Sequence, residues 1–173
     1  RQFNLQLAPS PTVRLRCEVR GGIREIPGVS AFLRRREPID DNSKRLQCGE
    51  TATLSPGRWE IVVSSPPAFY VAAYTNARGG ENAYEFSLSP AEERELTVTL
   101  KSRPASLSGR VMAEADQPAG SAPVLLYPLD TELRSRMGGI RNTLTTDTGE
   151  FRFAGLAPGR YELLSSYSLE QTR

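Results

Sequence analysis

The chain has 173 residues, 22 basic against 20 acidic for a net charge of +2, and 38% hydrophobic residues, a composition ordinary for a globular protein and too apolar for a disordered one. Scattered, balanced charge argues against a nucleic-acid footprint, and no apolar stretch is long enough to cross a bilayer as a helix or to act as a signal peptide. The absence of histidine removes Ser-His-Asp and Cys-His nucleophile systems, His general bases and ordinary catalytic zinc sites.

Along the chain, the opening RQFNLQLAPS carries no methionine or targeting pattern and reads as part of a piece excised from something larger. Residues 12–19 (TVRLRCEV) set Val13, Leu15, Cys17 and Val19 against Thr12, Arg14, Arg16 and Glu18, the period of a half-buried antiparallel strand. Residues 28–37 (GVSAFLRRRE) read as a short apolar strand. Its Arg34-Arg35-Arg36 end, followed by Glu37, Asp40 and Asp41, reads as a solvated strand end and loop. Pro27-Gly28, Pro56-Gly57, Asp147-Thr148-Gly149 and Pro158-Gly159 are turn signals; Pro-Gly favours type II geometry, because Gly accepts the positive φ. Trp59 and Tyr161 follow two of these turns as aromatic plugs of a thin core. Residues 89–95 (SPAEERE) suggest one helical turn, and residues 95–100 (ELTVTL) and 150–153 (EFRF) alternate as strands.

The chain repeats itself. Residues 54–63 (LSPGRWEIVV) match residues 156–164 (LAPGRYELL), pairing Pro56 with Pro158, Gly57 with Gly159 and Trp59 with Tyr161. Upstream, Gly49-Glu50 matches Gly149-Glu150, the later copy carrying Ala154 and Gly155 as extra residues. Residues 15–19 (LRCEV) match residues 107–111 (LSGRV), which sets Cys17 opposite Gly109 and Cys48 opposite Thr148. Residues 3–7 (FNLQL) match residues 96–100 (LTVTL), the segment that closes the first unit. A unit of about ninety residues suits a string of small domains. The expected organisation is all-β. Residues 1–8 are the closing strand of a preceding repeat or an N-terminal extension. Residues 9–102 form a first β-sandwich, and residues 103–173 a second, truncated at its C-terminus, with Arg103-Pro104 at the junction. The second unit should lack its closing strand, leaving a sheet edge open or filled from a neighbouring chain.

A family resemblance rests on Gly109, Val111, Pro118, Val124, Leu126, Thr146, Asp147, Gly149, Phe151, Phe153, Leu156, Pro158, Gly159 and Tyr161. These follow the pattern of a G-x-V strand, a proline-led V-x-L strand, T-D-x-x-G-x-F-x-F and L-x-P-G-x-Y, which resembles the carboxypeptidase regulatory-like domain. The turn Asp147-Thr148-Gly149 is one residue shorter than the pattern. The first unit is a divergent copy through Pro56, Gly57 and Trp59, with Cys17 in place of the strand glycine and Thr51-Ala52 in place of Phe151-Arg152. The resemblance implies two tandem Greek-key, transthyretin-like (prealbumin-like) sandwiches related to collagen-adhesin B-type domains. It further implies a non-catalytic spacer or accessory module of a larger bacterial protein, extracytoplasmic (periplasmic, cell-surface or secreted), with no enzymatic activity and no cofactor. The implied partners are neighbouring domains of the parent protein or another protein, not nucleic acid, and without direct membrane insertion. Starch-binding-like relatives imply the alternative, a carbohydrate-binding module with a glycan partner.

Few residues carry chemistry. Glu92-Glu93, Asp40-Asp41 and Glu114 with Asp116 sit in polar stretches and read as solvated rather than as an acid–base pair. The glycine loop at residues 77–82 (ARGGEN) lacks the helix and Lys-Ser/Thr of a phosphate cradle. Asp147 with Glu150 or Asp130 offers too few ligands for calcium, and an Asx-type turn explains Asp147 instead. Lys44 and Lys101 are not placed for an isopeptide bond. The candidate ligand surface is Phe69, Tyr70 and Tyr74, where alternation sends Tyr70 and Tyr74 to the core and Phe69 outward. Cys17 and Cys48 leave two options open: a disulfide, or a small buried hydrophobe beside an exposed thiol.

Overall fold

Alternation builds the first strand directly. In β1 (Thr12–Arg20) Val13 and Leu15 are buried, whereas Arg14, Arg16 and Glu18 face solvent. The computed structural model describes residues 8–20, 28–37, 43–76 and 84–167. Residues 1–7, Asp40-Asp41, Pro27 and the glycine loop at 77–82 lie outside these. After β1 come β2 (Ser30–Glu37), β3 (Lys44–Gln47), β4 (Thr51–Thr53), β5 (Gly57–Ser64), β6 (Phe69–Asn76), β7 (Glu85–Leu88) and β8 (Glu93–Ser102). They form two four-stranded sheets, ordered β4-β1-β8-β6 and β3-β2-β5-β7. Leu15 and Val98 from one sheet and Leu33 and Ile61 from the other belong to one buried cluster, so the sheets stack as a sandwich.

Pairing departs from the simple antiparallel expectation at β1. It is antiparallel to β4 but parallel to β8 along its whole length, from Thr12 opposite Glu93 to Arg20 opposite Lys101. Parallel neighbours need a long crossover, and the six intervening strands supply it by passing between the sheets. The expected helical turn at 89–95 is instead a tight turn. Ala91 takes φ 60°, its N–H donates to the Pro9 carbonyl at 2.7 Å, and β8 claims Glu93–Glu95 because β1 offers them partners. Glu92 is therefore not solvated; it is buried, accepts from the Ser89 N–H at 2.9 Å and pairs with Arg94. The arginine run is likewise engaged, with Arg35 donating to the Pro56 carbonyl at 2.7 Å and Arg36 pairing with Glu60 at 2.8 Å.

β8 ends at Ser102 and a new strand starts at Ala105, with Arg103 at φ 61° and Pro104 between them. No sheet runs across this connection. The later strands are β9 (Ala105–Arg110), β10 (Pro123–Pro128), β11 (Arg141–Leu144), β12 (Glu150–Leu156) and β13 (Tyr161–Ser165), in sheets β12-β9 and β11-β10-β13. The pairing scheme of the first five strands recurs: β9 with β12 as β1 with β4, then β10 with β11 and β13 as β2 with β3 and β5. Val124, Leu126, Phe153 and Leu156 form a second, smaller buried cluster. Strand register refines the sequence match. Val13 faces Ala52 as Leu107 faces Phe153, which makes Val111 rather than Gly109 the counterpart of Cys17. Val111 donates to the Gly149 carbonyl at 2.8 Å, where Cys17 instead bonds covalently to Cys48 with Cα atoms 5.5 Å apart.

The repeated Pro-Gly turn is used in two ways. Gly57 sits at φ +142°, and a Cβ there would lie 2.4 Å from the Glu37 carbonyl oxygen. Gly159 is needed for packing instead, since a Cβ would lie 2.4 Å from Leu133 Cδ2. Leu133 belongs to α1 (Thr131–Arg136), a short helix within the loop after β10; the Asp130 carboxylate caps it, accepting from the Leu133 N–H at 2.8 Å.

Among the described residues no strand takes the places of β6, β7 and β8 in the second group. Exposure follows: Leu163 is 43% exposed, whereas its counterpart Ile61 is 1% exposed. Ile61→Ala is expected to cost about 2–5 kcal/mol and Leu163→Ala under about 1 kcal/mol, read from urea unfolding of each variant.

Candidate functional site

The aromatic segment β6 does not alternate regularly. A bulge between Val71 and Ala73 in its ladder with β8 inserts one extra residue, so Val71 and Tyr74, three apart, both point inward. The facing expected from sequence is thereby reversed at its start: Phe69 packs against the core, and Tyr70 turns out to line a cleft. Phe69 is not the exposed aromatic. Phe69 and Tyr70 are both half-buried, Tyr74 is buried, and of the three only Tyr70 lines the cleft, so they make no flat aromatic platform for a sugar ring.

The bulge has a second consequence. It frees the Ala72 carbonyl, which accepts from Arg136 Nη1 at the end of α1. Tyr74, 2% exposed, donates its hydroxyl to the Arg136 carbonyl at 3.1 Å. The two residues extra in the later repeat lie at the same place. Ala154 and Gly155 form a bulge in β12; the Ala154 carbonyl accepts from Arg141 at 2.8 Å, and Gly155 lies against Pro67 and the Phe69 carbonyl. Between these elements is a cleft of about 290 Å3 lined by Pro67, Tyr70, Val71, Arg136, Arg141 and Gly155.

Burial dominates the electrostatics. Desolvation holds the Tyr74 phenol well above its ordinary value, and the Val63 backbone and Arg136 charge oppose this less strongly. Burial also raises Tyr161, whose hydroxyl donates to the Ala157 carbonyl. Both phenols stay neutral in the folded protein at pH values where the unfolded chain's tyrosines, ordinarily near 10, ionise. Their stabilisation is complete below about pH 10 and is lost as pH rises beyond it. Between pH 9.5 and 11.5 stability should fall less steeply in Tyr74→Phe than in the wild type, by up to about 1.4 kcal/mol per pH unit, in denaturant titrations at each pH.

The remaining motif residues have structural surroundings. Trp59 is buried and donates Nε1–H to the Ser55 carbonyl at 3.0 Å. Phe151 and Phe153 meet edge-on with ring centres 6.0 Å apart, and Gly109 leaves room for the Phe151 ring, which a Cβ would meet at 2.8 Å. Pro158 is exposed beside Gly159. Asp147 is exposed and does not close its turn; the Thr146 hydroxyl does so, accepting from the Glu150 N–H at 3.1 Å. Glu150 pairs with Arg110 at 3.0 Å. Among the described residues no cluster of three or more His, Cys, Asp or Glu could hold a metal ion, and no helix is long and apolar enough to cross a membrane. The signals missed in the sequence were Asp130 three residues before Leu133, which marks a helix start, and the Ala154-Gly155 insertion, which marks the meeting point of the two strand groups.

No family model matches the chain, and no curated protein matches it. Among solved structures it is similar to the C-terminal fragment of pilus adhesin SpaC from Lactobacillus rhamnosus GG, at 13% identity and TM-score 0.40, covering 91% of this chain and 75% of that one. It is also similar to a streptococcal ancillary pilin, at 13% identity and TM-score 0.37, covering 90% of this chain and 53% of that one. A third is the Bacillus anthracis TIE protein, at 13% identity and TM-score 0.40, covering 92% of this chain and 29% of that one. The chain thus spans about half of the ancillary pilin and under a third of the TIE protein. The fold described above stands on its own strand pairings.

Proposed function

We propose that the chain is a non-catalytic structural module, two β-sandwich repeats in tandem that hold other domains apart or present a surface to them. Residues 9–102 are the first repeat and residues 103–173 the second, of the carboxypeptidase regulatory-like kind, with residues 1–8 belonging to a strand outside both. The observation that carries this reading is the use of polar groups at the cleft and in the core beside it. Arg136, Arg141 and Tyr74 direct their hydrogen bonds to backbone carbonyls of the chain itself. A ligand site keeps polar groups aimed into its cavity; here Arg136 and Tyr74 link one strand group to the other, and Arg141 braces the bulge in β12.

The same reading places the module outside the cytoplasm, on the ground that a disulfide persists in an oxidising compartment. Its partners are then neighbouring domains of the parent protein or of another protein. A glycan-array screen tests this against sugar recognition. Wild-type protein and Tyr70→Ala should give the same background signal; a glycan retained by the wild type and lost on Tyr70→Ala would contradict the proposal.

A further inference from the structure

The cleft at the joint draws its wall from both strand groups. Ser64 at the end of β5 and Tyr70 in β6 belong to the first, Arg136 at the end of α1 and Arg141 at the start of β11 to the second. Each arginine spends Nη1 on a neutral carbonyl, Arg136 on that of Ala72 and Arg141 on that of Ala154 at 2.8 Å. A guanidinium has five N–H donors and a charge that persists at any ordinary pH. One bond to a carbonyl therefore fixes each side chain in place and leaves its charge, with further donors, at the cleft.

The two charges bear on a shared point. Burial raises the Tyr161 phenol, and the Arg141 and Arg136 charges both oppose that rise. The Tyr161 hydroxyl donates to the carbonyl of Ala157, itself part of the cleft wall. Like charges gathered in a half-enclosed space repel, more strongly than in open water. A neutral carbonyl does not cancel such a charge, whereas an anion does. The exposed Ser64 hydroxyl adds a donor from the other strand group. Shape narrows the class of anion. A planar carboxylate matches one guanidinium fork, whereas a tetrahedral oxyanion turns oxygens in several directions and meets two forks and a hydroxyl together. The cleft, about 290 Å3, admits an ion of that size.

We propose that this cleft binds a free tetrahedral oxyanion of the phosphate or sulfate class, held by Arg136 and Arg141 of the second strand group and by Ser64 of the first. The bound ion bridges the two groups and stiffens the joint that Tyr74 and Arg136 already make. This goes beyond the structural-module reading and does not depend on it. An ion that braces a joint is neither a substrate nor a glycan, and the module keeps its role if the cleft binds nothing.

Isothermal titration calorimetry of the full chain with inorganic phosphate, in sodium chloride at constant ionic strength, tests this. Wild type should give a saturating isotherm with one phosphate per chain. Arg141→Gln should bind about tenfold or more weakly, having lost one charge-assisted contact. Arg152→Gln should bind as the wild type does, because Arg152 is exposed on β12 and lines a separate groove with Gly109 and Phe151. Circular dichroism confirms that Arg141→Gln is folded. If it is not, Ser64→Ala carries the test; this exposed substitution should weaken binding about fivefold. Sulfate should displace phosphate, and acetate should not. A wild type without a saturating isotherm, or a folded Arg141→Gln chain that binds as tightly, would overturn the proposal. Equal, non-saturating heats in every chain would mean a general salt effect only and count against it as well. Acetate that displaces phosphate as readily as sulfate does would contradict the tetrahedral class.

Discussion

Trp59→Ala is expected to lower the unfolding free energy by about 3–5 kcal/mol, the largest loss of any single substitution in the chain. Trp59, the third residue of β5, is 3% exposed in the first cluster and donates Nε1–H to the Ser55 carbonyl at 3.0 Å. Truncation therefore empties the largest side-chain volume of a thin core and removes the hydrogen bond that ties the indole to the Ser55 carbonyl. Urea unfolding followed by far-ultraviolet circular dichroism measures it, since this tryptophan is the only one and fluorescence is lost with it. Tyr161→Ala should cost less, because Tyr161 is only partly buried in the smaller cluster. A Trp59→Ala loss under about 1 kcal/mol would contradict the packing described for the first group.

Reduction of the Cys17–Cys48 bond is the second large effect. The bond closes a loop with a sequence separation of 31, and loop entropy assigns such a cross-link about 3.7 kcal/mol. It fastens the middle of β1 to the turn before β4, where the second group relies on the hydrogen bond between Val111 and Gly149. Unfolding with and without reductant should differ by about 2–4 kcal/mol, and the Cys17→Ala, Cys48→Ala double variant should lose a similar amount and become insensitive to reductant. Identical unfolding curves in the two conditions would contradict the bond's role.

Much of the β architecture was legible because alternation is a local signal. Val13 and Leu15 against Arg14 and Arg16, or Leu96 and Val98 along β8, declare strands and their inner faces without knowledge of partners. The internal repeat added the order of elements, and the pairings of β1 to β5 recur in β9 to β13. What failed was whatever depends on a neighbour. The parallel pairing of β1 with β8 is a tertiary choice, and it drew Glu93–Glu95 out of the expected helical turn into a strand. The bulge at Ala72 reversed the faces of Phe69 and Tyr70 relative to Tyr74, because one inserted residue flips the sides before it against those after it in a period-two pattern. A two-residue offset between β1 and β9 was invisible as well, since it preserves inside and outside while moving the counterpart of Cys17 from Gly109 to Val111.

Such bulges also explain why the candidate surface became a joint. An aromatic cluster reads the same whether its rings meet a ligand or a second group of strands. Tyr74 and Arg136 are 62 residues apart in the chain, and nothing local in the sequence announces their meeting.

The distance between the two strand groups tests that joint most directly. Spin labels at Ser87→Cys on β7 and Glu162→Cys on β13, both exposed, report it by pulsed electron resonance in solution. The account predicts one narrow distance distribution for the otherwise wild-type chain and a broad one when Arg136→Ala is added, because that change removes the side chain held by the Ala72 carbonyl. A broad distribution already present with Arg136 intact, or a narrow one unaffected by its removal, would contradict it.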